Sequence, residues 1–268
     1  MVGGSAWAWP MCYHLPFIVY RPYMVLPTIS LEQLWLHLLV DPGIHSQVMA
    51  AMPVPNLHVR LSTSREHAIG EIWQRCPDLL MLEAGTDYEA FALLCRQLRS
   101  FFAFPIIVVE HGCSEAERIS LLDSGADDVV ALSQGLGSLW VRMKAVARRA
   151  ERQRQRNPES LYLIVGAMRL DIRGRRLIES ASGLGAPQLT PLDLTLRQTM
   201  LFALLFYHHG GVVTDQALAR HIFGLADAEA IERIGATYEQ LRRRLIELRR
   251  PPLVERVHNR GYRLVARS

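Results

Sequence analysis

The chain has 268 residues, of which 50% are hydrophobic and 21% are charged, and its formal net charge is +4. This length accommodates two ordinary domains, and the composition excludes a disordered chain because it is that of a folded, soluble protein. The total charge is too small to identify a partner, so its distribution along the chain is the more informative quantity.

The charge is divided unevenly along the chain. Residues 1–30 carry one Arg and no acid, residues 31–141 carry six Arg against fourteen Asp and Glu, and residues 142–268 carry twenty-three Lys and Arg against twelve acids. The net charges of the last two segments are therefore −8 and +11. This asymmetry favours a polyanionic partner for the second half of the chain. A genome rich in arginine codons is the alternative, since Lys144 is the only lysine.

The N-terminal segment and the cysteines point to no special site. Residues 1–30 have no regular period and no basic segment before their apolar stretch, and four prolines interrupt them. We expect a poorly ordered extension rather than a signal peptide or membrane span, and hence a cytoplasmic protein with no membrane partner. The cysteines lack metal-ligand spacing, so we expect reduced thiols, no metal and no cofactor. They are Cys12, Cys76, Cys95 and Cys113.

Residues 31–150 alternate short apolar runs with segments of helical period. Continuous apolar strands between helices imply a parallel sheet covered on both faces, so we predict a doubly wound α/β domain of five strand-helix units. The predicted elements are Leu36 to Val40, Ile44 to Met52, Leu57 to Leu61, Arg65 to Arg75, Leu79 to Leu82, Tyr88 to Leu98, Ile106 to Val109, Glu115 to Ser124, Val129 to Leu132, and Leu139 to Ala150.

A second, α+β domain is predicted over residues 164–268, after a basic, polar linker at 151–163. A small antiparallel sheet at 164–178 precedes three helices, which we place at 192–208, 214–223 and 228–249. Thr214 caps the second helix and Gly224 ends it, while prolines at 251 and 252 end the third. Two short strands around an Asn-Arg-Gly turn then form a hairpin. Three helices and a terminal hairpin predict a winged helix.

The third helix of this domain carries two different stripes. The apolar stripe, which we expect to be buried, consists of Ile234, Tyr238, Leu241, Leu245 and Leu248. The opposite stripe, suited to base edges, consists of Arg233, Thr237, Gln240 and Arg244. The flanking residues Arg242, Arg243, Arg249 and Arg250 are expected near backbone phosphates. A solvated amphipathic face would show the same pattern, so the helix alone does not decide between the two.

Four segments in this order resemble the effector domain of the OmpR/PhoB-type response regulators: LTPLDLTLRQ (189–198), HHGGVVTDQALARHIFG (208–224), YEQLRRRL (238–245) and LVERVHNRGYRL (253–264). The resemblance covers residues 165–266 and implies a winged helix-turn-helix that binds double-stranded DNA as a homodimer and works with RNA polymerase. It puts the wing contact on Arg260. His258 stands where the family usually has Arg, and Glu239 where a basic residue is common, so the operator sequence cannot be deduced.

Residues 34–150 resemble a response-regulator receiver through CPDLLMLE (76–83), PIIVVE (105–110) and SGADDVV (124–130). Receivers accept phosphate on an Asp, hold Mg²⁺ with an acidic pair, and sense the phosphoryl group through a hydroxyl and a Lys. The resemblance assigns Glu83 to the acceptor position, Glu110 to the hydroxyl, Leu132 to the Lys and Asp41, followed by a proline, to the acidic pair. The aromatic switch position is Val129. With so many replacements, we predict a pseudo-receiver.

The replaced pocket leaves alternatives open. In one interpretation Glu83 imitates a phosphorylated Asp. In the other it is a solvated carboxylate at the edge of a pocket that has lost its phosphate chemistry through sequence drift. We favour drift, because the residues that would sense the phosphoryl group are missing too. A third hypothesis clusters Asp41, Glu83 and Glu110 around a divalent ion. The resemblance also implies dimerisation through the fourth helix, fifth strand and fifth helix of the receiver. The charged residues offered there are Glu117, Arg118, Asp127, Asp128, Arg142 and Arg149.

Three functions are weighed. The first is a sequence-specific transcription regulator that binds DNA as a dimer without control by aspartyl phosphorylation. The second is a conventional phosphorelay output in which a sensor kinase uses Asp87, Asp78 or Asp41 as an unorthodox acceptor. The third, an α/β enzyme with a basic tail, is disfavoured because the chain lacks a GxSxG elbow, a Walker-type GxxxxGK, a GxGxxG after a strand and HExxH.

Overall fold

The computed structural model describes residues 35–40, 44, 46–48, 58–157, 162–179, 190–258 and 260–265. Its first sheet has five strands: β1 (Trp35–Leu39), β2 (His58–Ser62), β3 (Leu79–Ala84), β4 (Ile106–Glu110) and β5 (Asp128–Ala131). Their order is β2-β1-β3-β4-β5, and all four pairings are parallel. The central strand β3 and its neighbour β4 are almost wholly buried because helices cover both faces of the sheet.

Four helices of this domain have both ends within the described residues: α1 (Arg65–Gln74), α2 (Tyr88–Arg99), α3 (Glu115–Asp123) and α4 (Leu136–Arg156). Residues 44 and 46–48, within the helix predicted over Ile44 to Met52, are helical as well. Alternate residues of the central strands enter different cores. Leu80 and Val108 pack in the core that contains Leu94 of α2. Met81 packs with Leu139 of α4 in the other core. The predicted doubly wound α/β domain is therefore confirmed.

α4 is longer than predicted and continues to Arg156, through the first six residues of the expected linker. This stretch continues the helix because Ala, Glu, Gln and Arg are strong helix formers. Its Arg154 side chain is buried, so one side of the polar stretch packs against the rest of the protein. The predicted N-terminal extension, residues 1–30, and residues 158–161 of the predicted linker lie outside the described residues.

The second domain begins with an antiparallel sheet in the order β6 (Tyr162–Val165), β7 (Met168–Asp171), β8 (Arg176–Glu179) and β9 (Leu192–Asp193). It continues with α5 (Leu196–Tyr207), α6 (Asp215–Phe223), α7 (Ala228–Glu247), and the hairpin of β10 (Val254–Val257) and β11 (Gly261–Leu264). α5 begins later than predicted because Leu192 pairs with β8, and Thr195 and Gln198 form a capping box. The predicted winged helix is confirmed.

The two domains share one hydrophobic core. Trp73 at the end of α1 and Phe101 after α2 lie against His221 of α6, with ring centroids 5.8 and 5.3 Å from its ring. Tyr207 of α5 lies 5.7 Å from Phe101. The β7–β8 turn adds a hydrogen bond from Arg175 to the Gln74 carbonyl. In the part of the chain that the structure describes, no helix is long and apolar enough to cross a membrane.

Candidate nucleic-acid interface

α7 is held by its N-terminal cap and by one buried face. The Asp227 side chain accepts a hydrogen bond from the Ala230 amide, which satisfies an N–H that the first turn leaves without a partner. Ile234, Leu241 and Leu245 are buried and fix the rotation of the helix against the domain core. The prediction for Leu248 is wrong: it ends the helix and is 50% exposed.

The opposite face of α7 presents polar side chains to solvent. Arg233, Gln240, Arg242 and Arg243 are all exposed. Arg233 pairs with Glu229 at 2.6 Å, and Arg242 pairs with Glu239 at 3.0 Å. Such exposed pairs contribute little to stability, so a phosphate or base can replace the carboxylate at small cost.

Three side chains predicted at this interface lie elsewhere. Thr237 is only 5% exposed, and its hydroxyl donates to the Arg233 carbonyl at 2.8 Å. Arg244 turns to the Asp193 carbonyl on the neighbouring β9. Arg250 is buried, donates to Glu179 and to the Thr190 carbonyl, and so is not on the surface expected to face phosphates. The face open to solvent is therefore narrower than the sequence predicts.

One exposed arginine was missed by sequence reasoning. Arg197, in the first turn of α5, lies over the Phe223 ring at 5.3 Å, and Arg233 lies over the same ring at 5.7 Å. Two guanidinium groups from different helices therefore contact the same aromatic ring. No periodicity signals this, because the residues are far apart in sequence and belong to separate elements.

The wing is anchored to the turn before α6. Tyr262 and Val213 exchange two backbone hydrogen bonds of 2.8 Å, and the Tyr262 ring lies 5.1 Å from that of Tyr238 on α7. Gly261 has a φ of +128°, and a Cβ there would collide with the Val213 carbonyl oxygen. Arg260 precedes this anchor and is exposed at the end of the hairpin.

A second group of predicted residues lies at the carboxyl ends of β3 and β4. Glu83 Oε1 lies 2.8 Å from His111 Nε2. Glu110 is only 1% exposed, and its carboxylate accepts hydrogen bonds from the Gly112 and Cys113 amides and from Arg118 Nη2, the last at 2.8 Å. Burial alone would raise the pKa of Glu110, but the two amides and Arg118 together outweigh it and lower this pKa.

Glu83 and Glu110 have different partners: Glu83 binds His111, whereas Glu110 binds Arg118. Asp41, the third member of the hypothetical divalent-ion cluster, lies outside the described residues. Within the described ranges, no group of three or more His, Cys, Asp or Glu side chains could hold a metal ion. Leu132, at the lysine position, begins a short 3-10 turn and packs at the edge of the core. Val129 is buried, and its carbonyl accepts from Arg118 at 3.0 Å.

Both candidate phosphate-acceptor aspartates that the structure describes already bind other groups of the chain. Asp78 precedes β3, at the opposite end of the strand from Glu83, and is buried against Arg173 at 2.9 Å. Asp87 caps α2 by accepting from the Ala90 amide at 3.0 Å.

Most of the charged residues predicted for dimerisation make contacts within the chain. Glu117 completes the capping box of α3 with Ser114. Asp128 pairs with Arg142 at 2.9 Å, and Asp127 pairs with Arg99. Arg118 binds Glu110, as described, whereas Arg149 is exposed on α4. Sequence reasoning did not single out the exposed apolar side chains nearby, which are Ile119, Leu122 and Val141.

Comparison with known protein families supports a regulatory role for the second domain. Residues 189–264 match the family described as "Transcriptional regulatory protein, C terminal". This match covers α5, α6, α7 and the hairpin, which are the elements that carry the exposed arginines.

The chain is also similar to curated transcription regulators along most of its length. It is 26% identical over 187 residues to the KDP operon transcriptional regulatory protein KdpE of Escherichia coli K12, covering 69% of this chain and 77% of that protein. It is 29% identical over 195 residues to the transcriptional regulatory protein BaeR of Escherichia coli O6:H1, covering 71% and 75%. The solved structure of DrrB, a Thermotoga maritima OmpR/PhoB homolog, covers 87% of this chain and 99% of its own at 15% identity, with a TM-score of 0.37. The homologues are transcription regulators and not enzymes.

Proposed function

Because this chain is a DNA-binding response regulator of the OmpR/PhoB type, we propose that it binds repeated half-sites in duplex DNA as a dimer and that aspartyl phosphorylation does not control this binding. The observation that carries the DNA contact is the exposed face of α7 with Arg233, Gln240 and Arg243. Arg suits guanine and Gln suits adenine, both through two hydrogen bonds in the major groove. Arg242 and the wing residue Arg260 supply phosphate contacts, and RNA polymerase is the partner through which binding changes transcription.

Independence from phosphorylation is supported by the chemistry at the ends of β3 and β4. Glu83 replaces the acceptor, and Leu132 supplies no positive charge to neutralise a phosphoryl group. The position that would sense the phosphoryl group holds the Glu110 carboxylate, which already has donors from the loop and from Arg118. A sensor kinase would need Asp87 or Asp41 as an unorthodox acceptor, because Asp78 is buried against Arg173.

Dimerisation is supported by apolar side chains on the same surface as the predicted charges. Ile119 and Leu122 on α3 and Val141 on α4 are exposed. Exposed apolar groups rimmed by charges are typical of protein interaction sites. The exposed Arg149 on α4 is then available to a partner subunit. Most of the other charged residues predicted for dimerisation bind groups within the chain, and so stabilise the helices and strands that form this surface.

DNA binding is tested by mobility-shift assays with the DNA upstream of the gene and of its neighbours. We expect Ala substitution of Arg233, Gln240 and Arg243 together to abolish specific binding. The matched control replaces Arg60, Gln74 and Arg75, which are exposed on β2 and at the end of α1 and have the same residue types. Equal loss of binding in both triple variants, each with an intact fold, would refute the assignment.

Phosphorylation and dimerisation are tested on the full chain. We expect no incorporation from acetyl phosphate and unchanged DNA affinity in Asp87→Ala and Asp41→Ala. Sedimentation at micromolar concentration should show dimers in the wild type and monomers in Val141→Glu. Phosphate incorporation that Asp87→Ala or Asp41→Ala abolishes would favour the phosphorelay alternative, and a monomeric wild type would refute the dimer.

A further inference from the structure

A cavity of about 210 Å³ lies between the C-terminal half of α7 and the first strand of the wing. Its walls come from α7, from the segment after it and from β10. The lining residues are Tyr238, Leu241, Arg242, Leu245, Ile246, Arg250, Pro252 and Val254. By contrast, the cavity beside His37 and the cavity between the domains hold about 30 and 40 Å³, the space of a single water molecule.

The lining of this cavity is apolar, and its two charged side chains already have partners. Arg242 pairs with Glu239 at 3.0 Å, and Arg250 pairs with Glu179 at 3.3 Å. Together with their carboxylate partners these two arginines give the cavity no net charge, and its walls lack the several polar groups that a cluster of waters needs. An uncharged, largely apolar occupant fits this lining best.

The size and the flat side chains favour an aromatic occupant. A dry apolar cavity of roughly 150 Å³ is large enough to bind benzene, so about 210 Å³ accommodates a substituted ring or two fused rings. Tyr238 contributes an aromatic side chain to the lining, and the guanidinium groups of Arg242 and Arg250 are of the kind that stack on aromatic planes. Ile246 lines the cavity and is 59% exposed, so it marks the opening to solvent and gains burial when the cavity is filled.

We propose that the cavity between α7 and β10 binds a small uncharged aromatic compound and that its occupancy regulates DNA binding. An occupant that fills the cavity packs against both α7 and β10, and so fixes the position of the wing tip at Arg260 relative to the exposed face of α7. Occupancy should therefore change the affinity for operator DNA. The regulatory half of this proposal rests on the proposed function, whereas the binding half stands on the cavity alone.

The probe is indole, with indole-3-acetate as its anionic counterpart, titrated into the full chain by calorimetry. We expect saturable binding of indole, weaker binding of the carboxylate, and at least a tenfold loss of indole affinity in Ile246→Glu, roughly the effect of losing one buried aliphatic contact. Leu248→Glu is the matched control, because Leu248 is also half exposed at the end of α7 but does not line the cavity. Its affinity for indole should stay within about twofold of the wild type.

Absence of saturable heat with indole, tighter binding of indole-3-acetate, or equal weakening by both Glu variants would overturn the binding half. Unchanged operator affinity at saturating indole would overturn the regulatory half. The outcome also separates this inference from the proposed function. Indole binding by a chain that shifts no DNA refutes the proposed function alone, whereas operator binding without indole binding refutes only the cavity.

Discussion

Arg118 of α3 donates to the buried Glu110 carboxylate at the end of β4, with 2.8 Å between Nη2 and Oε1. A second donation from the same guanidinium, to the Val129 carbonyl, ties α3 to β5 as well. One arginine thus connects the helix to two strands of the sheet, at the position where a receiver's phosphate-sensing hydroxyl is expected.

Removal of this arginine should destabilise the first domain. We expect Arg118→Leu to lower the free energy of unfolding by about 2 kcal/mol, because the buried carboxylate loses a charged donor. Arg60→Leu is the control: it breaks an ion pair with Glu71 of similar length, 2.9 Å, whose arginine is mostly exposed, and should cost about 0.5 kcal/mol. Urea denaturation of both variants measures the difference, and similar losses would contradict the prediction.

The lowered pKa of Glu110 predicts a dependence of stability on pH. Because the unfolded chain binds this proton more readily than the folded chain, the stabilisation is complete above pH 4.5 and is lost as the pH falls through the lower pKa of the folded state. Glu110→Gln should therefore be less stable than the wild type at pH 7 and lose less stability on acidification. Parallel stability curves for the two proteins would count against this.

His221 predicts a second pH dependence, at the contact between the domains. Burial lowers its pKa from 6.5 to about 4, so the unfolded chain binds the proton first, and stability present above pH 6.5 is lost as the pH falls toward 4. We expect His221→Phe to remove about 2 kcal/mol of the change in stability between pH 7 and pH 5. Burial also lowers the pKa of His37 to about 4, but this contribution is common to both proteins and cancels in their difference. An unchanged difference in unfolding free energy between pH 7 and pH 5 would refute the assignment.

Gly261 and Gly235 should respond in opposite ways to a methyl group. Gly261→Ala forces a Cβ into the Val213 carbonyl at a positive φ and should destabilise the wing by about 2 kcal/mol or more. Gly235, within α7, has open space around it, so Gly235→Ala should stabilise the domain by about 0.5 to 1 kcal/mol. Thermal unfolding of the two variants checks the signs, and a shift of the same sign in both would contradict the prediction.

The wing tip should contribute to the salt dependence of DNA binding. We expect Arg260→Ala to weaken binding to all sequences and to reduce the slope of log K against log salt by about 1, as for the loss of one phosphate contact. Arg263→Ala is the control, because this exposed arginine of the same hairpin pairs with Glu255 at 2.7 Å. Identical slopes for the wild type and Arg260→Ala would show that the wing does not contact phosphate.

Local sequence determined the elements of both domains. The apolar runs that became β3 and β4, the cap at Thr214 and the left-handed Gly224 after α6 are properties of neighbouring residues, and the structure has them where the sequence predicts them. The apolar period also determined which way α7 faces, through Ile234, Leu241 and Leu245. Thr237 was predictable on the same ground, since it follows Ile234 by three residues and precedes Leu241 by four. Its polar side chain favoured a position facing solvent. A threonine hydroxyl in a helix can, however, donate its hydrogen bond to the carbonyl four residues before it, and can then be buried.

Tertiary structure alone decided which arginines face solvent and which charges are neutralised inside the chain. Arg250 pairs with Glu179, Arg173 with Asp78, and Arg118 with Glu110. The two residues of each pair belong to different parts of the fold, so helical or strand periodicity does not predict these contacts. A long charged side chain pairs with whichever acceptor the fold brings near it, so its role depends on packing rather than on its neighbours in sequence. The sequence thus predicted a basic surface on a winged helix, and the fold removed Thr237, Arg244 and Arg250 from it. The exposed residues that remain are Arg233, Gln240, Arg242, Arg243 and Arg249, with Arg260 on the wing and Arg197 added from α5.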